Sequence, residues 1–207
     1  MASIITATVA SGLTQSADNS GVLQLASGTG NLVTVPTGTG TAVVNGVNSS
    51  IVTGTAVAST SGTSIDFTSI PSWVKRITVM FDGVSTNSTS NLLIQIGSGS
   101  ILTSGYGSSA IYTGTSSGGS SSTAGFIITS AVGSTNTLSG ASTICLLGSN
   151  TYVSTGNLIY DSTSPVLFVM SSAGVRASVG GAIDRIRITT VNGTDTFDAG
   201  SINILYE

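Results

Sequence analysis

Histidine is absent from this 207-residue chain, and charge is scarce, with five Lys and Arg against eight Asp and Glu. Within the first 60 residues the only charged side chain is Asp18. Without imidazole, the common Ser-His and Cys-His nucleophile pairs and the nitrogen ligands of most zinc sites are excluded. A single cysteine, Cys145, excludes an intrachain disulfide. Its apolar neighbours Ile144, Leu146 and Leu147 predict a buried thiol acting as a small hydrophobe, because a reactive thiolate needs positive charge nearby. The net charge of −3 leaves no basic patch for a phosphate backbone, so nucleic acid is not expected as a partner.

Long apolar runs are missing too. The longest, Val166 to Met170 and Ile144 to Leu147, fall far short of the roughly 20 residues a spanning helix needs, so no membrane insertion is expected. The opening residues, Met1 to Ala10, lack the positive and apolar regions of a secretory signal and read as a mature N-terminus made in the cytosol.

What the chain has in abundance is small residues: 37 Ser, 31 Thr and 27 Gly, close to half of its length. Disordered chains share that bias but are poor in apolar residues, whereas this one is 40% hydrophobic and should fold. No stretch repeats apolar residues at helical spacing. Short segments rich in Val, Ile, Thr and aromatics recur between Gly, Ser and Asn, which predicts an all-β protein.

Two regions follow. Residues 1–58 carry only short apolar pieces broken by turns such as Gly28 to Gly30 and Gly38 to Gly40, too little to offset the entropy of ordering an isolated module. They read as a short β segment that folds against something else. Residues 59–207 read as an antiparallel β-sandwich, jelly-roll-like. From Val74 to Asp82 the alternation puts Ile77, Val79 and Phe81 on one face and Arg76, Thr78 and Met80 on the other. Asn91 to Gly97 and Ala182 to Thr190 are expected to be half-buried in the same way, and Ser201 to Tyr206 to be a terminal strand whose loss damages folding. The Gly114 to Thr123 stretch reads as an irregular exposed connection, either part of a contacting surface or a plain flexible tip.

Carboxylates are the remaining catalytic candidates. Asp195 and Asp198, in Asn192 to Asp198, could flank a sugar as a glycosidase pair or contribute oxygens to Ca²⁺, but an Asn-Gly-Thr-Asp run favours a tight turn built by its own side chains. No catalytic residue, metal or cofactor is assigned. Asp184, Arg185 and Arg187 on one strand favour a structural ion pair or a simple solvated face over a receptor contact, and Trp73 before Lys75 and Arg76 favours a packed indole over a sugar platform. Tyr106, Tyr112, Tyr152 and Tyr160 are the better aromatic candidates for a surface contact.

Three blocks, Ser64 to Phe81, Asn91 to Gly97 and Asp184 to Glu207, resemble a module at the ends of tail fibres and related virion proteins of tailed bacteriophages. Met1 to Ile5 and Ser20 to Leu25 resemble the start of such fibre-like proteins. The resemblance implies a homotrimeric structural protein of the phage particle surface, without catalysis. Its N-terminal segment would dock to other virion proteins, and its tip would touch a host cell-surface glycan or protein. It leaves open a capsid decoration or head-fibre role and, as a further alternative, a polysaccharide-degrading tailspike. Homotrimers also make sense of the composition, because three copies around an axis cover strand edges that few charges protect.

Overall fold

Val- and Ile-rich stretches punctuated by Gly, Ser and Asn settle into strands throughout a computed structural model that describes residues 51–161 and 167–207, together with the backbone of three strands before residue 50. Among the described residues all regular structure is β, and no helix is long and apolar enough to cross a membrane. The chain divides into two compact units, Met1–Ser50 and Ile51–Glu207. In the first, β1 (Ser3–Thr8) pairs antiparallel with β2 (Gly12–Ser16) and parallel with β3 (Leu23–Gln24). The turns expected at residues 28–30 and 38–40 lie outside the described residues.

The second unit is a β-sandwich. Its nine-stranded antiparallel sheet, here sheet I, contains β4 (Val52–Thr53), β5 (Val57–Ala58), β7 (Arg76–Thr86), β10 (Tyr106–Thr113), β11 (Ser117–Ser122), β13 (Thr137–Gly148), β14 (Thr151–Asp161), β15 (Leu167–Arg176) and β17 (Phe197–Tyr206). The strand order is β11-β10-β15-β14-β13-β7-β17-β4, with β5 also on β17. Residues 52–58 thus belong to the sandwich, because β17 offers them an open edge, and the division falls at residue 50 and not at 58.

Sheet II has the order β12-β8-β16-β6, with β9 beside β8; these are β6 (Ser64–Thr68), β8 (Leu92–Ser98), β9 (Ser100–Ile101), β12 (Phe126–Ile127) and β16 (Arg185–Thr190). One continuous core joins the sheets, with Ile77, Val79, Phe81, Ile144, Leu158, Met170, Ile202 and Ile204 of sheet I against Ile65, Phe67, Ile94, Ile96, Ile186 and Ile188 of sheet II. The alternation expected for β7 and β16 is present: Ile77, Val79, Phe81, Ile186 and Ile188 are buried while Arg76 is exposed.

Three expectations change. β8 is buried on both faces, because its outward Leu93 joins Ala110 and Ile127 in a second small core covered by β10 and β12. The Gly-Ser stretch holds a regular strand, β11, in register with β10 from Ser108↔Ser122 to Thr113↔Ser117; ladder hydrogen bonds need only backbone, so side-chain composition concealed it. Cys145 is half-buried on the outer face of β13, since strand alternation turns Ile144 inward and its neighbour outward.

Small residues govern how closely the sheets approach. Ser108, Ala110, Ser142, Ser154, Gly156, Ser172 and Gly174 lie on the inner face of β10, β13, β14 and β15, and Phe126 of β12 packs into that shallow band. On the other side of sheet I a bulge between β7 and β17 depends on Gly200, whose φ is +87° and whose missing side chain leaves room for the Asp82 and Gly83 backbone.

Candidate functional site

The sandwich opens at the end of sheet I where β10, β14 and β15 meet the segment that follows β12. There a cleft of about 230 Å³ is lined by Tyr112, Ser116, Ser130, Ala131, Tyr160, Phe168 and Met170. Alternation turns Tyr112, Tyr160, Phe168 and Met170 toward it from three adjacent strands. Phe168 is the central ring, edge-on to Tyr112 at 5.7 Å and to Tyr160 at 5.8 Å between centroids. Such edge-to-face packing fixes ring orientation as well as burying area.

Two glycines of the Gly-Ser stretch make room for those rings. Gly118 lies opposite Tyr112 on β11, where a Cβ would stand 2.7 Å from the phenol ring, and a Cβ on Gly114 would meet the Phe168 ring at 2.5 Å. The Tyr160 hydroxyl is tied to Asn136 Oδ1 and accepts the Gly133 amide at 3.2 Å, so the loop after β12 is fastened to β14. Ser130 shares a 2.9 Å hydroxyl contact with Ser120, which in turn accepts from Asn91 Nδ2 at 3.2 Å. Among the described residues no charged side chain lines the cleft.

Of the four tyrosines expected at the surface, the structure brings Tyr112 and Tyr160 together at this cleft and places the other two in the interior. Tyr152 is 1% exposed and accepts the Ile183 amide at 3.3 Å. Tyr106 is 3% exposed, stacks edge-on with Phe126 at 5.0 Å and carries Arg176 over its ring at 5.4 Å. Tyr160 is itself 8% exposed although it lines the cleft. An amphipathic phenol is as suited to a core with one internal hydrogen bond as to a wet surface, and strand parity put these three inward. Phe168 was missed as a site residue; its parity with Met170, two positions on, was the available signal.

Tyr106 gives the fold a pH response. Its hydroxyl donates to the Leu102 carbonyl at 3.0 Å and accepts the Ile96 amide at 2.9 Å, and burial pushes its pKa up, opposed by the Ile96 hydrogen bond and the Arg176 charge. An unfolded tyrosine ionises near pH 10, so the folded state holds its proton longer. Stability from this group is therefore complete below about pH 10 and is lost as pH climbs through the folded value. Thermal melts are expected to be level from about pH 6 to 8, where no histidine titrates, and to fall above about pH 10. Tyr106→Phe should flatten that alkaline fall while costing about 1–3 kcal/mol at neutral pH through the stranded Ile96 amide. An unchanged alkaline profile in that variant would refute the assignment.

The acidic turn is structural. Asn192 Oδ1 accepts the amides of Thr194 at 3.0 Å and Asp195 at 3.2 Å, and the Asp195 carboxylate accepts the Ser90 amide at 3.0 Å and the Asn192 side-chain amide. Asp198 is held by the Ser85 hydroxyl. Among the described residues no group of three or more acidic, Cys or His side chains is placed to hold a metal ion. Arg187 grips Asp66 with two 2.7 Å hydrogen bonds, and Arg185 grips Asp184, whose carboxyl is held below its ordinary pKa first by that hydrogen bond. Trp73 is half exposed and leans on Tyr206 at 5.9 Å.

A second feature is the outer face of sheet I. Ile111, Ile159, Leu167, Val169 and Val175 are each 41–54% exposed there. Ile159 lies directly opposite Val169, and Ile111 opposite Ser171 next to it. Among the described residues of β10, β15 and β14 the only charged side chain on this face is Asp161 at one end.

No family model matches the chain, and neither a curated protein nor a solved structure matches it.

Proposed function

We propose that this chain is a non-catalytic structural protein of a bacteriophage particle surface, a homotrimeric fibre-like or knob protein that adheres to the host. The observation that carries the reading is the outer face of sheet I, where exposed Ile and Val side chains adjoin and the only charge among the described residues of β10, β14 and β15 is Asp161, opposite Leu167 at one end. An exposed apolar face of this kind marks a protein contact, and further copies around an axis present surfaces equally poor in charge. The resemblance of residues 64–81, 91–97 and 184–207 to phage fibre tips supplies the setting. Support for a non-catalytic role comes from Asp195, whose carboxylate is engaged in building its turn.

Sedimentation equilibrium tests the assembly, and gold-labelled antibody on intact particles tests the setting. The expected mass is that of three chains of 20.4 kDa. Ile159→Lys with Val169→Lys should reduce it to one chain while the melting profile of the sandwich persists, since both side chains point outward. Label along or at the tip of the tail fits a fibre, label over the head fits a decoration protein, and particles without label would remove the virion setting altogether. A wild-type monomer at micromolar concentration would end the trimer reading.

A further inference from the structure

We propose that the cleft between Tyr112, Tyr160 and Phe168 is a binding site for one uncharged sugar ring, a neutral pyranose of a host-surface glycan. The inference rests on the adhesion reading for the origin of its ligand, but the site itself is argued from geometry.

Size comes first. A cleft of about 230 Å³ lies below the roughly 300–1,000 Å³ of sites for drug-sized molecules, and so suits a single ring. Chemistry narrows the class. With no charged side chain among the lining residues, a carboxylate, phosphate or ammonium would lose hydration and gain no counter-charge. A purely apolar ligand would leave the Ser116 hydroxyl, and the remaining hydrogen-bonding capacity of Ser130 beyond its contact with Ser120, facing carbon. A neutral pyranose meets both halves of the wall, its C–H face on the rings and its hydroxyls on the serines and the Ala131 backbone.

Preorganisation supports the assignment. Phe168 locks against both tyrosines, Tyr160 is fixed by Asn136 and Gly133, and the missing side chains of Gly114 and Gly118 are what allow Phe168 and Tyr112 to lie where they do. Walls already in place spare the ligand the cost of ordering them. A single ring in so small a site should bind with a dissociation constant on the order of 1 mM. Three copies on one particle would then add weak contacts through multivalency.

The probes are the methyl glycosides of glucose, galactose, mannose, rhamnose and N-acetylglucosamine, with N-acetylneuraminic acid and glucose 6-phosphate as charged counterparts. Titration of the isotope-labelled full chain, followed by amide and aromatic NMR shifts, should show at least one neutral glycoside moving Tyr112, Ser130 and Phe168 and neither charged probe doing so. Tyr112→Ala should weaken that binding at least tenfold. Ser116→Trp, on an exposed turn, should block the cleft without touching the core, and so serves if the first variant folds poorly. Shifts from none of the neutral glycosides, shifts from the charged probes alone, or neutral binding unchanged in Ser116→Trp would each overturn the site. Host-cell adhesion undiminished in Ser116→Trp overturns the cleft as the adhesive site and leaves the adhesion reading standing. Glycoside binding without adhesion of the wild type keeps the site and overturns that reading.

Discussion

Deleting Ser201–Glu207 is expected to leave no folded sandwich. β17 is an interior strand of sheet I, hydrogen-bonded to β7 along its length from Phe197↔Thr86 to Tyr206↔Ile77 and to β4 and β5 on its other side. The deletion removes Ile202 and Ile204, which are 0% and 3% exposed, and each such loss from a packed core costs about 2–5 kcal/mol. It also strips the Glu207 carbonyl from the amides of Lys75 and Arg76, at 2.7 and 2.9 Å, and leaves β7 with an unpaired edge bearing Ile77, Val79 and Phe81. Set against a typical domain stability of about 5–15 kcal/mol, the sum leaves no stable state. Circular dichroism and solubility on expression check this: a soluble truncated chain with a cooperative melt near that of the full chain would refute it.

Gly174→Val should be the most damaging single substitution in the band where the sheets come closest. A Cβ at Gly174 would stand 2.7 Å from Ser108 Cβ, 2.8 Å from the Phe126 ring and 3.1 Å from the Gly107 carbonyl. Two of those neighbours are fixed in the β10 strand, and Phe126 is 1% exposed and locked edge-on against Tyr106, so the added carbons have nowhere to go. Overpacking of this kind costs about 3 kcal/mol, which for a domain of this size lowers the melting temperature by roughly 10 °C. Gly107→Ala is the control: it faces outward on the neighbouring strand, its nearest atom would be a Val175 methyl at 3.8 Å, and its stability should stay close to wild type. Because the clash runs through Phe126, Phe126→Leu should cost less in the Gly174→Val background than alone, a coupling that a double-mutant cycle reads directly. Equal denaturation midpoints for Gly174→Val and wild type would show that the sheets part more easily than the packing implies.

The strands that carry bulky alternating side chains were legible from residues alone. Ile77, Val79 and Phe81, then Ile186 and Ile188, declare a period of two that only a half-buried strand explains. The turn at Asn192 to Asp195 was legible for a similar reason, since Asx side chains satisfy backbone amides within a few residues of themselves. Leu92 to Gly97 was legible as a strand but not as one buried on both faces, because its outer cover comes from β10 and β12, which follow later in the chain.

The candidate site was legible only in part. Aromatic residues beside polar turns drew attention to Tyr106, Tyr112, Tyr152 and Tyr160, yet a tyrosine's composition says nothing about which side of a sheet it occupies. Parity within β10 sends Tyr106 and Tyr112 to the same inner face, but Tyr106 lands under β12 and Tyr112 at the open end. Phe168 escaped notice because it sits in an apolar run, and Gly114 and Gly118 because a glycine's contribution here is the space it leaves for a ring on another strand.

Sequence by itself determined that this chain folds as β structure, that it has no histidine with which to build the usual catalytic or metal centres, and that its strands alternate in from out. Those properties are local: they depend on side-chain type and on a backbone period that adjacent residues establish together. Tertiary structure alone decided which sheet edge β17 fills, how the Gly-Ser stretch becomes β11, and which tyrosines meet around Phe168. Those outcomes depend on partners far apart along the chain, and hydrogen-bond ladders and ring contacts between distant strands leave no mark in the residues that separate them.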